Sequence, residues 1–197
     1  GEKMILVKTT PSGEILYDKE IFESYYGRAL GLCEDSGQNI YAVGYVYNDE
    51  DLQNRVLAVA KLDLNGNILW ENLFGPVDED ITGYNVSVLT NDELVVSGNR
   101  AGDLVLLKIN TSGEEILFDI KEHPSYGSPN GMIVLADGRT LITSSSGYEM
   151  QLSWYDENFE LLSKKSYGPA STYGRSTIQL RDNNLLSVGK LTYTAEG

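Results

Sequence analysis

A single cysteine, Cys33, serves the whole of this 197-residue chain, which excludes an internal disulfide framework. Flanked by Leu32 and Glu34 inside an apolar run, it reads as a small core residue and not as a nucleophile. There is one histidine, His123, beside Pro124. Without a second histidine or a cysteine pair the usual zinc-ligand spacings cannot be assembled, and no spacing of Ser, His and Asp points to a hydrolytic triad. No metal and no cofactor is expected. Cationic residues are also scarce, 15 Lys and Arg against 29 Asp and Glu, for a formal net charge of −14. Binding to DNA or RNA draws on cationic counterion release, so nucleic acid is excluded as a partner. No apolar run approaches the roughly 20 residues that cross a bilayer, and no stretch of helical length has a 3.6-residue apolar period. A membrane span is not expected.

What the chain has instead is short apolar runs punctuated by turn residues, repeated at a period of 45–53 residues. The best copy is Leu57–Gly98. Two runs meet at Asn65-Gly66, which reads as a two-residue hairpin turn because both residues tolerate positive φ. After a polar loop, Val86–Leu89 and Leu94–Ser97 form a second pair, so the stretch predicts two hairpins or one four-stranded antiparallel sheet. The other first hairpins turn at Pro11-Ser12-Gly13, Ser112-Gly113 and Asn158-Phe159. The other second hairpins turn at Asp35-Ser36-Gly37, Asp137-Gly138 and Asp182-Asn183-Asn184, residues that bond their own backbone or accept left-handed geometry. Tyr17, Trp70, Phe118 and Ser163 occupy corresponding places after the first turns, and the three aromatics are expected to be buried.

Four repeats of two hairpins make about 16 strands in one all-β domain spanning residues 1–197. Units of this length with four strands suit the blades of a β-propeller better than the rungs of a solenoid. The first strand, Met4–Lys8, and the last, near Leu185–Lys190, belong to complementary half-units and are expected to pair in one sheet. That pairing closes a four-bladed ring and removes two exposed edges. The alternative is an arc that belongs to a larger propeller, completed by self-association.

The pattern LVKxDxNGxIxWxxxF-G, an acidic loop, then YxVxxxxDGxxxVxG resembles the blade repeat of bacterial secreted and lipoprotein-type β-propellers. Leu57–Gly98 matches it best and Leu106–Ser145 next. The resemblance describes a blade and carries no single function. It implies an extracellular or cell-envelope location.

Most apparent sites dissolve on inspection. Asp78, Asp80 and Thr82, followed by Gly83, mimic a calcium loop, but Leu89 stands where the loop needs a bidentate Glu. Asn48-Asp49-Glu50-Asp51 reads as a solvated loop tip and Ser144-Ser145-Ser146-Gly147 as a strand end. What recurs is a tyrosine-glycine pair before each second hairpin: Tyr26-Gly27-Arg28, Gly83-Tyr84-Asn85, Tyr126-Gly127-Ser128 and Tyr173-Gly174-Arg175. In a propeller this connection reaches the mouth of the central channel. Tyr26, Arg28, Tyr84, Asn85, Tyr126, Tyr173 and Arg175 are therefore the candidate ligand-binding residues, since tyrosine gives flat contact area with a hydroxyl and arginine a fork for carboxylates. The expected function is a non-catalytic binding or scaffold propeller that contacts a glycan, peptide or protein through its loop face. The alternative is a glycan-active lyase or hydrolase using loop carboxylates, with Asp78, Asp80, Glu23 and Glu122 as the pool.

Overall fold

The computed structural model describes residues 1–47, 53–121, 129–146, 149–168 and 172–192. These form sixteen β-strands and, among the described residues, no helix. In chain order they are β1 (Met4–Thr9), β2 (Ile15–Ile21), β3 (Gly27–Glu34), β4 (Ile40–Tyr47), β5 (Arg55–Leu62), β6 (Ile68–Phe74), β7 (Ile81–Val88) and β8 (Leu94–Arg100). The second half comprises β9 (Asp103–Ile109), β10 (Glu115–Lys121), β11 (Gly131–Val134), β12 (Thr140–Ser146), β13 (Glu149–Tyr155), β14 (Leu161–Tyr167), β15 (Thr172–Gln179) and β16 (Leu185–Leu191). Three sheets have four antiparallel strands in sequential order: β3–β6, β7–β10 and β11–β14. The pairs β1–β2 and β15–β16 stand as two-stranded sheets.

Each complete sheet therefore joins the second hairpin of one repeat to the first hairpin of the next. Leu57–Gly98 straddles two sheets, with the boundary in the loop between Phe74 and Ile81, and is not one sheet.

One turn geometry is used eight times. In each, the first residue's N–H donates to the carbonyl four residues on and its carbonyl accepts from the N–H three residues on, as in Asp63–Asn67 (2.9 Å) and Gly66–Asp63 (3.0 Å). The fourth residue takes positive φ: Gly13, Gln38, Gly66, Asp92, Gly113, Gly138, Phe159 and Asn183. This is the longer hairpin loop with a single left-handed residue. It replaces the two-residue turn expected at Asn65-Gly66, because Gly66 alone has positive φ there (81°). Side chains fix the turn. Asp63 Oδ1 accepts from the N–H groups of Asn65 and Asn67, both at 2.8 Å, and Asn110 Oδ1 does the same for Ser112 and Glu114.

The middle strands are buried on both faces, which explains their unbroken apolar runs. Leu57 and Val59 pack with Val105, Leu107 and Ile109 of the next sheet. Ala58, Ala60 and Leu62, on the other face of β5, pack with Met4 and Ile21 of the β1–β2 pair.

Two expectations are corrected. Met4–Lys8 and Leu185–Lys190 do not share a sheet: β1 lies against β3, β15 against β11, β12 and β13, and among the described residues no strand pairing joins the two edges into a closed ring. The aromatics after the first turns are half-buried, not buried. Phe118 is also out of step, because Lys8 pairs with Tyr17 and Lys61 with Trp70, whereas Lys108 pairs with Leu117.

Candidate binding rim

The eight hairpin turns lie along one rim of the sheets. The connections that cross from sheet to sheet, such as Phe22–Tyr26 and Gly75–Asp80, lie along the opposite rim. The candidate residues Tyr26, Arg28 and Tyr173 belong to that crossing rim, at the starts of β3 and β15. Tyr126 lies outside the described residues, as do Asn48–Asp51, Glu122, His123, Pro124 and Gly147.

Strand pairing shows how the recurring dipeptides relate. Ala29, Gly83 and Gly174 face Gly44, Gly98 and Gly189, and each first strand then shifts register by one residue. The extra residue of this β-bulge is Leu30, Tyr84 or Arg175. Tyr84 and Arg175 are thus equivalent, and Arg28 corresponds to Tyr173, two positions before the bulge residue. The bulge lets neighbouring inner strands touch. A Cβ on Gly31 would lie 2.6 Å from the Tyr84 carbonyl oxygen, and one on Gly131 would lie 3.0 Å from that of Arg175. Asn85, at the position of Gly31, instead uses its amide to donate to Ser97 Oγ (3.1 Å) and to the Pro129 carbonyl (3.0 Å) of the next sheet. Its side chain is an inter-sheet clamp.

Around Arg28 the structure assembles more than the sequence displayed. Arg28 forms a two-bonded ion pair with Glu2, whose carbonyl in turn accepts from the Gly27 N–H (2.9 Å). Lys3 lies 5.4 Å from the Tyr26 ring centroid, pairs with Glu20 at 2.9 Å and donates to the Glu23 carbonyl. A concavity of about 360 Å³ here is lined by Glu2, Lys3, Ile5, Arg28 and Ala29. Arg28 is the cross-strand partner of Tyr45, whose ring meets that of Tyr47 edge-on at 5.4 Å. Arg55 stacks over Tyr45 at 5.4 Å and grips Asp80 through Nε (2.7 Å) and Nη2 (2.5 Å). Tyr45, Tyr47 and Arg55 were not singled out by the repeat pattern, because they end and begin strands that flank a loop of no regular motif.

The electrostatics are those of paired charges. The Arg28 guanidinium holds the Glu2 carboxyl below its ordinary range, and Arg55 does the same for Asp80. Burial, reinforced by a hydrogen bond with Tyr47, raises the Tyr45 phenol. Asp80 is thereby committed to Arg55, and Thr82 is buried in β7, so the apparent calcium spacing is used otherwise. Among the described residues no group of three His, Cys, Asp or Glu is placed to hold a metal ion. No helix among them is long and apolar enough to cross a membrane.

Arg28 and Arg175 are not brought together within the chain. β3 and β15 belong to different sheets, with β7–β10 and β11–β14 between them in the succession.

No protein-family model matches the chain, and no curated protein matches it. Its fold is similar to the crystal structure of a protein of unknown function from Bacteroides caccae, with a TM-score of 0.59 and 12% sequence identity. The similarity covers 95% of this chain and 65% of that one, so this chain spans about two thirds of its neighbour's length. At that identity the likeness concerns the fold alone.

Proposed function

We propose that the chain is a non-catalytic binding or scaffold module of propeller type, acting outside the cell or in its envelope, and that its crossing rim takes an acidic sugar chain. The observation that carries this reading is a concavity lined by Lys3 and Arg28, with the exposed Tyr26 ring beside Lys3 and with Tyr45, Tyr47 and Arg55 continuing from Arg28 along the same rim, in a chain whose net charge is −14. Sugar rings lie flat on tyrosine faces, and a uronate carboxylate accepts two parallel bonds from a guanidinium. Arg28 is suited to that exchange. Its ion pair with Glu2 leaves both side chains more than half exposed (56% and 60%), and such surface pairs hold weakly. Arg55 is held more firmly by Asp80 and serves to fix the Tyr45 ring.

The test is an array of neutral glycans, uronate oligosaccharides and acidic and neutral peptides, read for the wild type and for Arg28→Ala and Tyr26→Ala. Uronate binding that falls at least tenfold in both variants is expected. No binding to any arm, or uronate binding indifferent to both substitutions, contradicts the reading.

A further inference from the structure

We infer that two copies of this chain join head to tail, the β15–β16 pair of one seating beside the β1–β2 pair of the other to complete a four-stranded sheet. The inference rests on the repeat geometry and not on the ligand proposed above.

Strand pairing identifies what each pair lacks. Gly189 faces Gly174 as Gly98 faces Gly83, so β16 corresponds to β8, which continues into a third strand, β9. Lys8 faces Tyr17, with a register shift just after it, as Lys61 faces Trp70, so β1 corresponds to β5 and β9. Among the described residues, β16 stands as a second strand with no third beside it, and β1 as a third strand with no second. Transferring the β8–β9 register, in which Leu94 faces Ile109, Val96 faces Leu107 and Gly98 faces Val105, sets Leu185 opposite Thr9, Ser187 opposite Val7 and Gly189 opposite Ile5.

The faces left bare are the faces that complete sheets cover. Leu186 is 52% exposed where its counterpart Val95 is 1% exposed, and Val7 is 53% exposed where Leu107 is 0%. On β3, which the incoming pair would overlie, Leu32 is 72% exposed where Val86 is 7%. A groove of about 440 Å³ runs between β1 and β3, and Ile5, Val7, Leu30 and Leu32 line it. Tyr17 covers Gly66 and Trp70 covers Gly113 in the next sheet, whereas nothing lies within 4 Å of the corresponding face of Gly13. An apolar seat of this kind, beside an unpaired strand edge, invites strand addition.

Charge selects the occupant. Residues 172–191 carry Arg175, Arg181 and Lys190 against Asp182 alone, a basic segment in an acidic chain. Residues 2–23 carry Lys3, Lys8 and Lys19 against Glu2, Glu14, Asp18, Glu20 and Glu23. The two ends therefore attract each other and repel their own kind, which favours head-to-tail over head-to-head contact. The two pairs stand in separate sheets of one chain, and it is their opposite charge that points to a second copy as the occupant. Each copy brings three complete sheets, and two such junctions add two more, eight in all, within the range in which radial sheets close a ring.

The experiment is the solution mass of the full 197-residue chain by light scattering at tens of micromolar. We expect twice the chain's 21.8 kDa, and the single-chain mass for Leu186→Asp/Val188→Asp, whose side chains are exposed and whose β-sheet circular dichroism serves as the folding control. Register is read with Cys33→Ser/Val7→Cys and Cys33→Ser/Ser187→Cys. Mixed and oxidised, the two should give a covalent dimer that neither forms alone. A wild type of single-chain mass, a dimer indifferent to the Asp pair, a ladder of higher masses, or a disulfide within one chain of the doubly substituted protein would each overturn the inference. Because mass is read without any sugar present, and Arg28→Ala should leave it unchanged, failure here is distinct from failure of the binding rim.

Discussion

The ammonium of Lys61 crosses from one sheet to the next and donates to the Thr111 carbonyl at 3.1 Å, with its stem buried and the Tyr41 ring centroid 5.1 Å away. The arrangement recurs. Lys8 donates to the Leu64 carbonyl (2.9 Å) over Tyr17, and Lys108 to the Glu157 carbonyl over Phe159. Each lysine ends the apolar run of a third strand and reaches the hairpin turn of the following sheet. The latch fixes how far one sheet slides along its neighbour, a displacement that apolar faces alone constrain weakly.

Lys61→Ala should lower stability by about 2–3 kcal/mol, since it removes a charge-assisted hydrogen bond and the packing of a buried stem. Lys61→Met, which keeps the stem, should cost about half of that. The midpoint and slope of urea denaturation check both. The Thr111 carbonyl keeps a second donor, Trp70 Nε1 at 3.2 Å, so the variant is not left with a bare acceptor.

The sheet β11–β14 offers a stabilising change. Ser153 Oγ is fully buried in it and finds no hydrogen-bond partner among the described residues. Removing a desolvated hydroxyl recovers part of its penalty, so Ser153→Ala should raise stability by about 1 kcal/mol, read as a higher melting temperature. A loss of that size would show that the hydroxyl has a partner.

These readings also show what the sequence disclosed and what it did not. The places of the turns were legible from Asn65-Gly66, Ser112-Gly113 and Asn158-Phe159, whereas their type was not, because it is set by Asp63, Asn110 and Asp156, three residues before each left-handed position. Which hairpins share a sheet was not legible, because Phe74 to Ile81 carries no signal that separates a within-sheet turn from a crossing. Counting along the chain placed Phe118 beside Trp70, but strand pairing puts Leu117 there, and a one-residue slip sends a side chain to the opposite face. For the rim, Tyr26 and Arg28 were visible in the dipeptide. Tyr45, Tyr47 and Arg55 joined them only through cross-strand pairing, and the bulge at Tyr84 and Arg175 had no local mark.

Acid should weaken the fold in a defined window. Hydrogen bonds from Asn67 hold the Asp63 carboxyl below its ordinary value, those from Asn184 do so for Asp182, and Arg139 and Arg55 do so for Asp137 and Asp80. A depressed folded-state value means stability that is complete above the unfolded value, near 4, and lost as pH falls below it. The melting temperature should therefore be level from pH 7 to about 5 and drop steeply from 4 to 3. Asp63→Asn should flatten part of the drop while keeping the turn, since Asn110 builds the equivalent turn without a charge.

Cys33 should be nearly inert. Burial, helped by the neighbouring Asp35 charge, pushes its thiol up to about 12, so thiolate is scarce at neutral pH. Alkylation by iodoacetamide at pH 8 should be far slower in the native protein than in urea. Equal rates would place Cys33 on an open surface.

The central claim is that the crossing rim, and not the rim of hairpin turns, is the binding face. It is tested most directly by titrating the ¹⁵N-labelled protein with a galacturonate tetramer and following backbone and arginine Nε–H resonances. Shifts should gather at Lys3, Tyr26, Arg28, Tyr45, Tyr47 and Arg55, and leave the turns at Asp35, Asp63 and Asp137 unmoved. Shifts confined to those turns, or none at millimolar tetramer, would contradict the account.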